Sequence, residues 1–382
     1  MAIDPRRVAV AFAAAGAFLH LYAPQAVLPQ MAREFGVGAA DASLIITAGT
    51  LAVAATAPFT GAISDVLGRK RVIVTAMLLL LIPSVMVALA PNLTQLIAWR
   101  FVQGLLLPPI FAVTVAYIGD EWPAAEATGV IGLYAAASAA AGFFGRFIPG
   151  VLIDHVGWRG GFLTLAALAA VCAGAVIVLL PRERQFKRAS NLAASLGQML
   201  AHLRNPRLLA IYAVGFGVLF NFIATFTYIS FHLAAPPFDR SAAFLGAIFV
   251  VYLVGAFFAL WSGRAIAAVG RRVFVLGALG LWAAGLLLTL VPSVPLIVFG
   301  LLACSTCGIL TQASSTGFVA VTAKTGTSAA VGLYVTAFYV GGSFGGWLPG
   351  LAYEHGGWPA SLALIVGMIA LMALVVATSW KR

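Results

Sequence analysis

The stretch GLYAAASAAAGFFGRFIPGVLIDHVGW at residues 132–158 returns two hundred positions later as GLYVTAFYVGGSFGGWLPGLAYEHGGW at 332–358. Gly132, Leu133, Tyr134, Gly142, Phe144, Gly145, Pro149, Gly150, His155, Gly157 and Trp158 all recur in place. A shorter pair lies upstream of each: GAISDVLGRKR at 61–71 and GRAIAAVGRR at 263–272, with Gly61 and Gly68 falling on Gly263 and Gly270. The chain therefore reads as a duplication, an internal repeat that outranks any local signal in deciding the fold.

Each copy is built from runs long enough to cross a bilayer, which takes about 20 apolar residues. Twelve such runs fit: 8–30, 42–63, 72–91, 94–118, 128–152, 161–180, 208–232, 243–262, 273–292, 296–322, 329–352 and 360–379. The motif pairs sit in the second and fifth run of each half. Composition agrees: 62% of residues are hydrophobic, 9% are charged, and mean hydropathy is +1.05. A soluble surface needs roughly 25% charged residues. The expected fold is all-α integral membrane, with two pseudo-symmetric six-helix bundles at 1–180 and 208–382. The run at 8–30 is too long for the apolar part of a signal peptide and reads as the first span.

Orientation follows from the cations. Of the 22 lysines and arginines, three fall on one face (Arg33, Arg159, Arg240) and two within spans (Arg100, Arg146), leaving 17 for the other face and the termini. The positive-inside rule then places both termini in the cytoplasm. The same bias accounts for the net charge of +11 without a nucleic-acid partner. The connector at 181–207 is cytoplasmic and basic, and Leu192, Leu196, Met199, Leu200 and Leu203 recur at helical spacing. That pattern predicts a short amphipathic helix on the inner membrane surface. Cys304 and Cys307 spell C-x-x-C with no second ligand pair nearby, so they read as small packing residues.

GAISDVLGRKR resembles the signature loop of the major facilitator superfamily, and the twelve spans, central connector and degenerate second copy extend that resemblance over the whole chain. It implies transport by alternating access, with a solvated cavity between the halves. Gly61, Asp65, Gly68, Arg69, Lys70 and Arg71 would then form the conformational switch. Asp65 would latch to the basic residues and to the start of the eleventh helix near Ser328, with Glu121 or Asp120 as partners for Arg69. The second copy has Ala267 where Asp65 stands, so one half carries the switch.

Arg100-Phe101-Val102-Gln103-Gly104 resembles the family's Arg-x-x-Gln-Gly element, linked in proton antiporters to proton transfer. An arginine about 10 Å inside its helix end must face a cavity or a partner. It serves either transport or a structural bond to a helix carbonyl. Pro108 and Pro109 predict a kink with Gly104. The run Gly132-x8-Ala141-x3-Gly145-Arg146-x2-Pro149-Gly150 resembles the antiporter motif of the drug-exporting branches, with departures at Ala141, Arg146 and Pro149. Gly145, Pro149, Gly150 and their repeats Gly345, Pro349 and Gly350 read as a hinge seam packed closely against a helix of the other half. Arg146 would bind substrate, seal the outer gate or serve packing.

His20 is the histidine deepest in the membrane, read either as a proton carrier or as hydrogen-bonded filler. Tyr22, Gln25, Asn221, Tyr228, Gln312, Tyr334 and Tyr339 complete the polar groups at cavity depth. Trp158 and Trp358 read as interface anchors. All eleven acidic residues fall in loops or at helix ends, so the cavity is expected to favour an anionic or neutral amphiphile over a cation. No nucleophile–base pair or metal-ligand cluster suggests an enzyme.

The expectation is a monomeric transporter in a bacterial inner membrane, working without cofactor. It would export a small neutral or anionic organic compound on the proton gradient. The alternatives are proton-linked uptake of an organic anion and, further off, a non-transporting membrane sensor.

Overall fold

The computed structural model describes residues 4–183, 197, 199–323 and 326–380. Residues 184–196 of the expected amphipathic connector, and the side chain of Ser328, lie outside the described residues. Within the connector, residues 199–202 are helical, with Leu200 and Leu203 exposed. All described secondary structure is helical.

Chain chemistry sets the helix starts. Asp4 caps α1 (Pro5–Leu21) by accepting from Arg6 N at 2.9 Å, with Pro5 in the first turn where its missing N–H costs nothing. Helices α2 (Leu28–Phe35), α3 (Ala39–Leu67) and α4 (Arg69–Leu89) follow. Asn92 caps α5 (Leu93–Glu121), accepting from Gln95 N at 2.9 Å. Helix α6 (Ala124–Leu179) contains the fifth and sixth spans, divided at Gly157, whose φ of 69° needs glycine. Asn205 caps α7 (Pro206–Ala234). The eighth span is α8 (Ala242–Ile248), α9 (Val251–Ala259) and α10 (Ser262–Val269), and then come α11 (Arg271–Leu288) and α12 (Val294–Thr322). Helix α13 (Thr327–Ser379) holds the last two spans, divided at Gly356 and Gly357.

Nine helices among the described residues are long and apolar enough to cross a membrane. Separating α6 and α13 at their glycines, and counting the interrupted first span, gives the twelve passes expected. Hydroxyls inside the spans return to their own helix: Thr114, Ser138 and Thr311 each donate to the carbonyl four residues back. That satisfies them where no water is at hand.

Three elements differ from the sequence reading. The first span is not one helix but breaks at Tyr22–Val27, because Pro24 has no N–H to continue α1 and disfavours helix at the residue before it. The eighth span is not continuous either. Ser305 Oγ takes the Val251 carbonyl at 2.7 Å, and the turns around 249–253 and 257–261 tighten to three-residue hydrogen bonds. Trp158 and Trp358 are not lipid-facing anchors: they are 3% and 1% exposed, and Trp358 donates to Thr289 Oγ1 at 2.9 Å. The turns at Gly157 and Gly357 double the chain back and tuck each indole against its own bundle. Helix α5 runs on through Pro108 and Pro109.

By packing, the chain forms two compact units. One holds the residues up to Val27, Ala48 through the sixth span, and Ala242–Ala247. The other holds Leu28–Thr47, the seventh span, and the chain from Ile248 onward. Within each, the duplicated glycines let backbones touch. A side chain at Gly145 would overlap the Leu19 carbonyl, and one at Gly345 the Phe220 carbonyl. Gly150 meets the Ala242 backbone as Gly350 meets Ala40. The repeat read from the sequence is thus a repeat of contacts.

Candidate functional site

The break in the first span is where the polar groups of the first unit gather. When α1 stops at Leu21, its last carbonyls lose their helical partners, and Arg100 of α5 takes two of them. Its Nη1 donates to His20 O at 2.9 Å and its Nη2 to Leu21 O at 2.7 Å. The guanidinium thus meets the negative end of a helix dipole. Nη1 also reaches Gln103 Oε1, one turn on. Gln103 Nε2 donates to Ser84 Oγ at 2.9 Å, and His20 Nε2 lies 3.5 Å from the same hydroxyl. His20, Ser84, Arg100 and Gln103 are each 1% exposed. Arg100 can come so close because Gly104 sits directly on the Gly49 carbonyl of α3.

Arg146, on the fifth span, holds the other side of the break. Its Nε donates to Gln25 Oε1 at 2.8 Å, its Nη1 to Gly142 O at 2.5 Å, and its Cζ lies 4.9 Å from the centre of the Tyr22 ring. Gln25 is fully buried and Arg146 nearly so. Six of the sequence-predicted residues (His20, Tyr22, Gln25, Arg100, Gln103 and Arg146) therefore meet around one interrupted helix.

The second unit does not repeat this arrangement. Aligning Leu19 with Phe220, through their glycine partners, puts Asn221 in the place of His20. Asn221 Nδ2 contacts Met372 Sδ at 3.3 Å. Tyr228 donates to Gly346 O and stacks on Tyr353 at 5.7 Å, and Tyr334 packs on Gly215 and Phe338. Tyr339 is buried against Phe338, and Gln312 is half-buried on α12. These five are spread through the unit rather than gathered. Phe222, Phe226, Tyr252 and Trp282 fill its interior instead.

The signature loop forms a separate charge cluster. Arg69 is clamped between Asp65 Oδ1 at 2.6 Å and Asp120 Oδ2 at 3.0 Å, and touches Ser64 Oγ. Of the two acids closing α5, Asp120 is the one that reaches Arg69; Glu121 is buried. Gly68 has φ 93° and Gly270, its repeat, φ 82°, so both turns need glycine, whereas Gly61 stands in open space. Lys70 and Arg71 line a cavity beside this turn.

Sequence reasoning missed Ser84, whose hydroxyl joins His20 to Gln103, because serine in an apolar run is common. It also missed Leu28–Thr47 as a docked segment: Ala40 N donates to Glu354 Oε1 at 3.0 Å and Thr47 Oγ1 to Ser343 O at 3.3 Å, all within the second unit. Among the described residues no group of His, Cys, Asp or Glu could hold a metal ion, and the three cysteines are free and buried.

A profile of the Major Facilitator Superfamily matches residues 10–267. This chain belongs to that superfamily. The inner membrane transport protein YnfM of Escherichia coli K12 is 31% identical over 98% of this chain and 91% of its own length. Among solved structures, the nucleoside transporter NupG (D323A mutant) superposes with a TM-score of 0.80 at 14% identity, covering 98% of this chain and all of that one. The human organic anion transporter MFSD10 (TETRAN) gives a TM-score of 0.70 at 19% identity, with the same coverage. The chain is thus a multi-pass membrane transporter of the major facilitator type, and not an enzyme.

Proposed function

We propose that the protein exports a small neutral or anionic organic compound, driven by the proton gradient, from the cytoplasm across a bacterial inner membrane. The observation that carries the substrate class is the cluster at the break in the first span. It holds two buried guanidiniums, an imidazole, amides and a phenol. A cationic substrate would meet like charge there. An anion or an uncharged acceptor would meet N–H donors and the Tyr22 ring.

In this reading Arg146 and Tyr22 contact the substrate, while Arg100 fixes the broken helix end and keeps the break in register. The Arg69–Asp65–Asp120 clamp breaks and reforms as the transporter changes the side it opens to. His20, or an acid at a helix end such as Asp41 or Asp154, carries the proton. Proton-linked uptake of an organic anion uses the same charges in the opposite direction.

The test begins with a thermal-shift screen of purified protein against matched anionic, neutral and cationic amphiphiles, since a ligand of the native state raises the melting temperature. Anionic or neutral compounds are expected to stabilise the wild type and to lose that effect in Arg146→Gln. Hits are then followed in proteoliposomes under an imposed pH gradient, with efflux expected to follow it. Stabilisation by cations alone would overturn the substrate class, and efflux indifferent to the gradient would overturn the coupling.

A further inference from the structure

The duplicated loop ends in a helix whose N-terminus the two copies treat differently. In the first copy α4 starts after Gly68, and the chain supplies an anion there: Glu183 Oε2 accepts from Lys70 N at 3.3 Å, with its other oxygen against Gly68. In the second copy α11 likewise starts after a glycine, Gly270, but among the described residues no side chain is seen to accept from its first amides. A cavity of about 620 Å³ opens at that point, lined by Arg271, Arg272 and Trp380 above an apolar wall of Val269, Val273 and Phe318. No carboxylate is among its described lining residues.

Two buried donors there lack acceptors among the described residues. Trp380 is 3% exposed and its indole N–H has no partner, and Arg271 Nε is likewise unmatched. An orphan donor is costly where water is excluded. The Arg271 guanidinium lies 4.6 Å over the Phe318 ring, which fixes its plane. Arg272 gives one donor to Ala377 O at 2.5 Å, leaving the rest of its fork available.

We propose that this cavity binds the phosphodiester headgroup of an anionic phospholipid. Phosphate oxygens only accept, which matches the orphan N–H groups. Their charge suits two guanidiniums and a helix N-terminus, and takes the place that Glu183 fills in the other copy. The cavity lies at the start of a membrane span, at headgroup depth, and its apolar wall receives the upper acyl chains. On the orientation given by the cation bias, the lipid belongs to the inner leaflet. Nothing here depends on what the protein transports.

Native mass spectrometry of the detergent-solubilised protein, offered phosphatidylglycerol and phosphatidylcholine in equal amounts, reads the preference directly. The wild type should retain phosphatidylglycerol. Arg271→Gln and Arg272→Gln should each cut that preference about fivefold, and Trp380→Phe, which keeps the ring but not the N–H, should cut it a few-fold. Glycerol phosphate should compete poorly. Equal competition would name a soluble phosphate as the ligand and overturn the lipid proposal. Equal retention of both lipids, or retention unchanged in all three variants, would overturn it too. Should an arginine variant fail to fold, fluorescence quenching decides. Bromine-labelled phosphatidylglycerol should quench wild type more than Trp380→Phe, and equal fractional quenching sinks the idea.

Discussion

Arg100 is a charge placed where charge is expensive, and its surroundings show what offsets that cost. The carbonyls of His20 and Leu21, freed by the break at Pro24, receive its two terminal nitrogens, so one unfavourable feature satisfies the other. Because Tyr22 N–H also reaches His20 O, Arg100→Ala would chiefly strip the Leu21 carbonyl of its described donor in a water-free setting, at about 1–3 kcal/mol. Purified Arg100→Ala is expected to melt several degrees below wild type in detergent. Arg100→Lys should recover only part of the loss, since an ammonium cannot fork to two acceptors as a guanidinium does. Full recovery by lysine would mean that charge alone matters and the capping geometry does not. The sequence made Arg100, Gln103 and Arg146 legible because each is polar in an apolar run. It did not reveal the partners of Arg100, because two of these are backbone carbonyls of a helix read as continuous. Pro24 was the available signal, outweighed by the hydrophobicity of the run around it.

At the scale of elements, the offset of two hundred residues appears in the structure as equivalent contacts in the two copies. Gly145 on Leu19 and Gly345 on Phe220 are one contact made twice, as are Gly150 on Ala242 and Gly350 on Ala40. Equivalent backbones do not carry equivalent chemistry, however. His20 and its polar neighbours gather in one copy, while Asn221 sits beside Met372 and an aromatic interior in the other. That asymmetry was invisible in the sequence, since it depends on which helix faces close on each other. The docking of α3 was equally hidden, because it joins residues more than three hundred positions apart. Its start is held by Glu354, which accepts from Ala40 N. A side-chain cap of this kind contributes about 1 kcal/mol, or roughly fivefold in local opening. Hydrogen exchange of the amides at 39–42 should therefore quicken about fivefold in Glu354→Ala and less in Glu354→Gln, whose carbonyl still accepts. Exchange in α5 should not change. Uniform acceleration across the protein would show that Glu354 supports the fold at large rather than this one docking.

For the molecule as a whole, the distribution of cations is the fact from which orientation in the membrane is read. Which face is inside decides the leaflet that would supply a lipid to the Arg271 cavity, whereas the direction of transport is set by the coupling and the gradients. A transmembrane chain cannot readily be inverted once its basic loops are held on the cytoplasmic face, so a bias of 17 to three predicts one orientation. The native cysteines are buried, which leaves a clean background for labelling introduced ones. Arg33 and Arg264 are both exposed and lie on opposite faces in this scheme. A membrane-impermeant maleimide should label Arg33→Cys in intact cells, once the outer membrane is opened, and Arg264→Cys only after the inner membrane is breached. The reverse pattern would invert the topology and move the headgroup cavity to the outer leaflet without altering a single contact within either unit.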